Sequence, residues 1–104
     1  MEKNIPEYIK VGGVKIFVRD VPRCDDNNLG NCCLAEGIIN IADVWDKDRQ
    51  QCDESKRNTF FHEVVHCILD TMGESELSKN EKFVCTFSSF LNEAMADAVF
   101  KTKE

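Results

Sequence analysis

The amino-acid sequence predicts an α+β fold in which N-terminal antiparallel β-hairpins are followed by two long helices. Two β-rich runs, YIKV and VKIFVRDV, flank Gly12-Gly13, a glycine pair that is typical of a tight hairpin turn. Downstream of residue 53, apolar residues recur instead at spacings of three and four, which is the period of a helix. Strands followed by helices indicate an α+β domain, and a chain of 104 residues predicts one domain, 1–104.

A second hairpin is expected after the turn-forming stretch 23–31. Its strands would be CCLAE and IINIAD, which flank Gly37. In IINIA, Ile39 and Ile41 fall on one face of the strand, and that face can lie on the core. If this strand lies at an edge of the sheet, its outer backbone groups remain free to pair with another chain.

The first helix is predicted over residues 53–72 and the second over residues 79–101, with ESELS as a short connection. Asp53 can cap the start of the first helix, and Gly73 suits the left-handed position that follows its end. The apolar face of the first helix comprises Phe60, Phe61, Val64, Val65, Ile68, Leu69 and Met72. The buried stripe of the second helix is expected to comprise Phe83, Val84, Phe87, Phe90, Leu91, Ala94, Met95, Ala98 and Val99.

The composition argues against several classes of function. The formal net charge is −6 and no basic patch stands out, so no nucleic-acid partner is expected. No apolar run approaches the length needed to cross a bilayer, so no membrane partner is expected either. The N-terminal MEKNIPEYIK lacks the apolar core of a signal peptide, and the cytoplasm is therefore the expected compartment.

The cysteine content is high for so short a chain. The spacing contains no CxxC pair, so neither a zinc ribbon nor a thioredoxin-type redox pair is indicated. Without an export signal, mostly reduced structural thiols are expected. The alternative is a disulfide-stapled secreted module. The six cysteines are Cys24, Cys32, Cys33, Cys52, Cys67 and Cys85.

The segment TFFHEVVHCILD, residues 59–70, contains both histidines of the chain. Residues four apart lie on one face of a helix, so His62 and His66 can direct two imidazoles at one point. Zinc binds histidine nitrogens at about 2.0–2.1 Å and prefers a tetrahedral shell. Glu63 is rotated by about 100° from His62, which favours a role as general base toward a metal-bound water over a role as ligand.

Chance is a poor explanation for this motif. Two histidines placed at random in this chain would be four apart with a following glutamate in roughly 0.2% of arrangements. The simpler alternative is a pair of surface histidines beside an ordinary solvated Glu63. That alternative would set three unpaired polar groups among apolar neighbours such as Phe60 and Val64, which is costly. The motif therefore favours a metal site.

A catalytic zinc site needs a third protein ligand and one open position. Glu81 is the preferred candidate because it begins the second helix on the face that points toward the first helix. Its competing role is a capping box, in which Glu81 reaches back to Ser78. Asp70 is too far along the first helix for the same ion. The full set of candidates is Asp70, Glu74, Glu76, Glu81, Cys67 and Cys85, with Cys85 expected in the core.

HEVVH, CILDTMG and NEKFV, taken in that order, resemble the small zincin-type metallopeptidases of phages and mobile elements. These are related in plan to the ImmA/IrrE metallopeptidases and more distantly to gluzincins, and the resemblance covers about residues 33–100. It implies a minimal zincin-like fold, with His62, His66 and Glu81 as zinc ligands and Glu63 as catalytic base. It also implies that a strand beside the cleft, here IINIA, pairs with an extended substrate.

The expected function is zinc-dependent hydrolysis of peptide bonds in a peptide or protein substrate. In this mechanism Glu63 takes a proton from a zinc-bound water and passes it to the leaving amine. The alternative is a non-catalytic, zinc-stabilised protein-binding domain in which a cysteine closes the fourth position. The sequence indicates no particular oligomeric state.

Overall fold

The structure is a computed structural model that describes residues 5–101 of the chain. Strands occupy its first half and helices its second, which confirms the α+β fold. Within the described range, no helix combines the length and the apolarity needed to cross a bilayer. The strands are β1 (Tyr8–Val11), β2 (Val14–Val21), β3 (Gly30–Cys33), β4 (Ile38–Ala42), β5 (Val44–Trp45) and β6 (Arg49–Gln50). The helices are α1 (Asp53–Met72), α2 (Ser75–Ser78) and α3 (Glu81–Ala96), and a 3₁₀ turn spans Asp25–Asn27.

The main sheet contains two hairpins joined by a parallel pairing, in the order β1-β2-β4-β3. Both predicted hairpins are confirmed. Val11 pairs with Val14 across Gly12 and Gly13, whose φ angles of 58° and 81° are those that a two-residue hairpin turn requires. β3 and β4 are antiparallel, whereas β2 and β4 run parallel.

The position of β4 overturns the expectation that IINIA is an edge strand open to substrate. Val18 of β2 pairs with Ile39 on one side, and Cys32 of β3 pairs with it on the other. The edge strand is β3 instead, and its first residues lie within the stretch 23–31 that was expected to be a loop. Alternation correctly predicted that Ile39 and Ile41 are buried. The alternation of residues along a strand indicates which face is buried. It does not indicate which strands pair with that strand on either side.

Helix α1 is the middle layer of the domain. One side of it contacts the sheet, where Phe60 and Cys67 join Ile16, Ile39 and Ile41 in the larger core cluster. Its other side contacts α3 in a second cluster. The members of that second cluster are Val65, Leu69 and Val84, with Leu77, Phe83 and Leu91 packed around them.

The entry of the chain into α1 depends on Gln51, a residue that the sequence did not single out. Its buried side chain donates from Nε2 to the carbonyl of Ala42 at 2.6 Å, and its Oε1 accepts from Ser55 and Thr59 at 2.8 and 2.7 Å. The predicted cap at Asp53 is wrong by one residue, because Cys52 is the N-cap and makes no side-chain cap bond. The end of α1 at a left-handed Gly73 is confirmed.

The second predicted helix differs from the structure at both ends. Part of the ESELS connection forms α2, and α3 ends at Ala96 and not at residue 101. Asn92 donates to Asn58 at 3.4 Å, which places the last turns of α3 beside the first turns of α1. Because α1 begins at Asp53, a longer α3 would extend past the helix on which it packs.

The predicted buried stripe of the second helix is also too wide. Only Val84 of that stripe is fully buried, because α3 contacts the rest of the described chain through one side. Ile68 and Met72 of α1 are also more exposed than their spacing predicted. The stripe residues that prove exposed are Phe87, Phe90, Ala94, Met95, Ala98 and Val99.

Lys56 joins the first turn of α1 to the ends of the two parallel strands. The side chain of Lys56 is only 17% exposed. Its ammonium group lies 2.7 Å from the carboxylate of Asp43 and 3.7 Å from that of Asp20. The hydrogen bond to Asp43 is the main reason that the pKa of Lys56 is raised, and the charge of Asp20 adds to it.

We expect Lys56→Met to lower the free energy of unfolding at pH 7 by about 1 kcal/mol, measured by urea denaturation. Because folding raises the pKa of Lys56, this contribution is complete below the unfolded pKa of about 10.4 and is lost as pH rises through the folded value. The difference between wild type and variant should therefore shrink at alkaline pH. Lys101→Met, at an exposed site, is the control, and a difference independent of pH would contradict the assignment.

Candidate metal centre

The three predicted ligands converge at one point between α1 and α3. The Nε2 atoms of His62 and His66, one helical turn apart on α1, lie 3.2 Å from each other. Glu81, the first residue of α3, places Oε1 at 3.6 Å from Nε2 of His62 and Oε2 at 3.5 Å from Nε2 of His66. Two helices that are separated in sequence thus bring two imidazoles and one carboxylate together.

The separation of the two imidazole nitrogens suits two ligands of a single tetrahedral ion. Zinc–nitrogen bonds of about 2.0–2.1 Å and zinc–oxygen bonds of about 2.0–2.2 Å place ligand atoms roughly 3.3–3.5 Å apart in a tetrahedron. The two imidazole nitrogens, 3.2 Å apart, come within about 0.1 Å of that range, and Glu81 presents a different carboxylate oxygen to each imidazole, at 3.6 Å from His62 and 3.5 Å from His66. Burial, reinforced by the neighbouring His66, lowers the pKa of His62 and so favours the neutral imidazole that a metal requires.

Ser78 orients the second histidine. Its hydroxyl, buried at the end of α2, lies 2.9 Å from Nδ1 of His66. With Nδ1–H donating to this hydroxyl, Nε2 of His66 carries its lone pair toward the other two ligands. The alternative in which Ser78 forms a capping box with Glu81 is wrong, because Asn80 caps α3 by accepting from the backbone N–H of Phe83 at 3.0 Å.

Glu63 is the buried acid beside this centre. Its side chain is only 7% exposed and lines the same cavity as His62. Burial, with a smaller contribution from the charge of Glu81, raises the pKa of Glu63 to about 7 despite an opposing hydrogen bond from Cys32. A carboxyl with a pKa near neutrality can both accept and return a proton, which is what a general base in hydrolysis must do.

A cavity of about 370 Å³ opens over His62 and Glu63. The cavity is lined by residues of the loop before β3, of the β5–β6 hairpin and of both long helices. The sequence did not indicate Asn27, Asn28 or Trp45, which lie in short elements without a period. Asn58 could have been found, because it precedes His62 by one helical turn. The lining residues are Asn27, Asn28, Leu29, Gly30, Trp45, Asn58, Thr59, His62, Glu63 and Cys85.

Gly30 allows the edge strand β3 to lie directly against α1 at this cavity. A Cβ atom at residue 30 would meet Cγ2 of Thr59 at 2.5 Å and the carbonyl oxygen of Asn40 at 2.9 Å. It would also lie 3.6 Å from Cγ of Glu63. A larger residue would push β3 away from the buried acid, so the close approach depends on glycine.

Cys85 is at the cavity and not in the core, which corrects its predicted location. It is exposed, and its Sγ lies 3.8 Å from Nδ1 of His62. His62, Glu81 and Cys85 can offer ligand atoms within 4.8 Å of one another. However, Nδ1 and Nε2 point in different directions from the imidazole ring, so Cys85 and His66 contact opposite sides of His62.

Contact with the histidines, and not burial, separates Glu81 from the remaining candidates. Asp70, Glu74 and Glu76 are exposed, as Glu81 is, but Glu81 has a carboxylate oxygen within 3.6 Å of each imidazole. Cys67 belongs to the core cluster beneath the sheet. All six cysteines are free of disulfide bonds in the structure.

Comparison of the chain with known protein families, with characterised proteins and with solved structures gives no significant match.

We expect Ser78→Ala to weaken zinc binding about 10–100-fold, because the Nδ1–H of His66 loses its acceptor and the ring its fixed orientation. The affinity is measured by competition with a chromophoric chelator. Ser75→Ala, at the exposed start of the same short helix, is the matched control and should bind zinc like wild type. Equal affinities in both variants would contradict the role assigned to Ser78.

Proposed function

We propose that this protein is a zinc-dependent metallopeptidase of the HExxH zincin type, acting on a peptide or protein substrate. The observation that carries the proposal is the convergence of His62, His66 and Glu81, in which the two imidazole nitrogens are 3.2 Å apart and each has a Glu81 carboxylate oxygen within 3.6 Å. Three protein ligands leave a fourth position for water or substrate, and this is the arrangement of catalytic zinc. The six unpaired thiols favour the reducing cytoplasm as its compartment.

Each residue of the centre has a separate task in peptide hydrolysis. When bound, zinc would supply a Lewis acid and would lower the pKa of a bound water to about 7. His62, His66 and Glu81 would hold the ion, and Ser78 would fix the ring of His66. Glu63 accepts the proton of the attacking water and then donates it to the departing amine. The raised pKa of Glu63, about 7, suits both transfers at neutral pH.

The edge of β3 is the proposed binding surface for the substrate backbone, in place of IINIA. The amide of Ala42 donates to the carbonyl of Leu29 at 2.9 Å, so Leu29 faces β4. Because hydrogen-bonding directions alternate in an antiparallel pair, Gly30 and Cys32 direct their N–H and C=O groups away from β4. An extended peptide could add there as a further strand, next to Glu63.

Asn58 is the proposed donor to the oxyanion that develops on the scissile carbonyl. Its Oδ1 accepts from Asn92, which orients the amide and leaves the Nδ2 hydrogens available at the cavity wall. Amide donors of this kind stabilise developing negative charge in acyl transfer. Tyr8, the only tyrosine, lies on β1 at the opposite edge of the sheet.

We expect Glu63→Gln to bind zinc like wild type and to lose peptide cleavage by about 10²-fold or more, since the amide cannot accept the water proton. His62→Ala should lose both zinc and cleavage. Cleavage is followed by mass spectrometry on a mixed peptide library, and zinc by elemental analysis. Glu76→Gln, at an exposed glutamate, is the matched control. Full activity in Glu63→Gln would exclude Glu63 as the base.

A non-catalytic, zinc-stabilised protein-binding domain is the second candidate, and Cys85 is the observation that favours it. Its Sγ lies 3.8 Å from Nδ1 of His62, and His62, Glu81 and Cys85 offer ligand atoms within 4.8 Å of one another, so a thiolate could join the coordination shell. The geometry supports the enzyme more strongly, because Cys85 approaches His62 from the side away from His66.

We therefore expect Cys85→Ala to retain one zinc per chain with affinity within about threefold of wild type, because three ligands remain. The measurement is the same chelator competition, with Cys52→Ala at another exposed cysteine as control. Loss of zinc from Cys85→Ala alone would support the closed, structural site.

A further inference from the structure

Helix α3 carries two rows of side chains, of which one packs on α1 and the other meets the second core cluster only through Phe83, among its described residues. The inner row faces α1 and comprises Val84, Ser88 and Leu91. The second row, here called the outer seam, comprises Phe83, Phe87, Phe90 and Ala94. Its spacings of four, three and four residues are those by which one helix packs lengthwise against another.

Three of the four residues of the outer seam are aromatic, and two of these are largely exposed. Phe87 is 49% exposed and Phe90 is 66% exposed, and the ring of Phe87 stacks on that of Phe83 with centroids 5.6 Å apart. Single exposed apolar residues are common on protein surfaces, whereas a contiguous apolar stripe indicates an interaction site.

The charges beside the outer seam identify the partner. Lys79 and Lys82 lie at its N-terminal end and Glu93 and Asp97 at its C-terminal end, all of them exposed. An antiparallel pair of identical α3 helices centred between Phe87 and Phe90 would place Lys82 of each copy beside Glu93 of the other. A parallel pair would instead set like charges against each other, which is unfavourable.

We propose that the outer seam binds the outer seam of a second copy of this chain, forming a symmetric dimer with antiparallel α3 helices. In this pairing Phe87 of one copy faces Phe90 of the other, and the large Phe83 faces the small Ala94. A symmetric twofold interface requires such a self-complementary surface. Glu81 lies roughly 160° around α3 from Phe83, so the dimer leaves the metal centre open and is independent of the proposed activity.

The test is the mass of the full chain in solution, measured by light scattering over a range of concentrations. We expect about twice the chain mass of 11.9 kDa at about 100 µM, falling toward 11.9 kDa on dilution, as for an interface of modest area. Phe87→Glu should be monomeric throughout. Phe17→Glu is the matched control, because Phe17 is also 49% exposed and also contacts one aromatic ring, that of Tyr8.

A charge exchange tests the antiparallel arrangement without touching the aromatic residues. Lys82→Glu should raise the dimer dissociation constant roughly fivefold or more, and Lys82→Glu combined with Glu93→Lys should restore it. Circular dichroism establishes that each variant is folded, and the charge variants decide the question if Phe87→Glu unfolds. A chain that stays at 11.9 kDa at every concentration overturns the proposal, as does a dimer that the Phe87 and charge variants leave intact.

Discussion

The packing of α3 on α1 is the contact on which the rest of the site depends. Val84 is fully buried against Val65 and Leu69, and it lies three residues after Glu81. Burying one apolar side chain of this size contributes about 1.5–3 kcal/mol, which is enough to fix the start of α3 relative to α1. The same contact therefore stabilises the helix pair and holds the carboxylate of Glu81 over the two imidazoles.

The sheet contributes the other half of the centre. Gly30 lets the edge strand approach α1 closely enough to cover Glu63, and that burial is the main reason for the raised pKa of the acid. Ser78, on the short helix between the long ones, fixes the ring of His66. The candidate metal site and the candidate base thus lie next to each other because α1 is packed between two layers. The sheet covers Glu63 through Gly30, and α3 places Glu81 beside the histidines.

The sequence predicted what depends on local spacing and missed what depends on neighbours. The hairpins, the limits of α1 and the approach of Glu81 to the histidines followed from period, turn residues and helix geometry. The interior position of β4 and the early end of α3 did not follow from these features. They depend on which strands and helices pack next to these elements. Cys85 was misplaced for the same reason: helical spacing alone could not show that its side of α3 faces an open cavity.

The proposed centre would hold one ion through nitrogen and oxygen atoms, without sulfur. This coordination can be measured by X-ray absorption at the zinc edge on protein loaded with one zinc per chain. We expect a first shell of nitrogen and oxygen at about 2.0–2.2 Å, with the outer scattering of two imidazoles. A sulfur shell at about 2.3 Å, or scattering from fewer than two imidazoles, would contradict it.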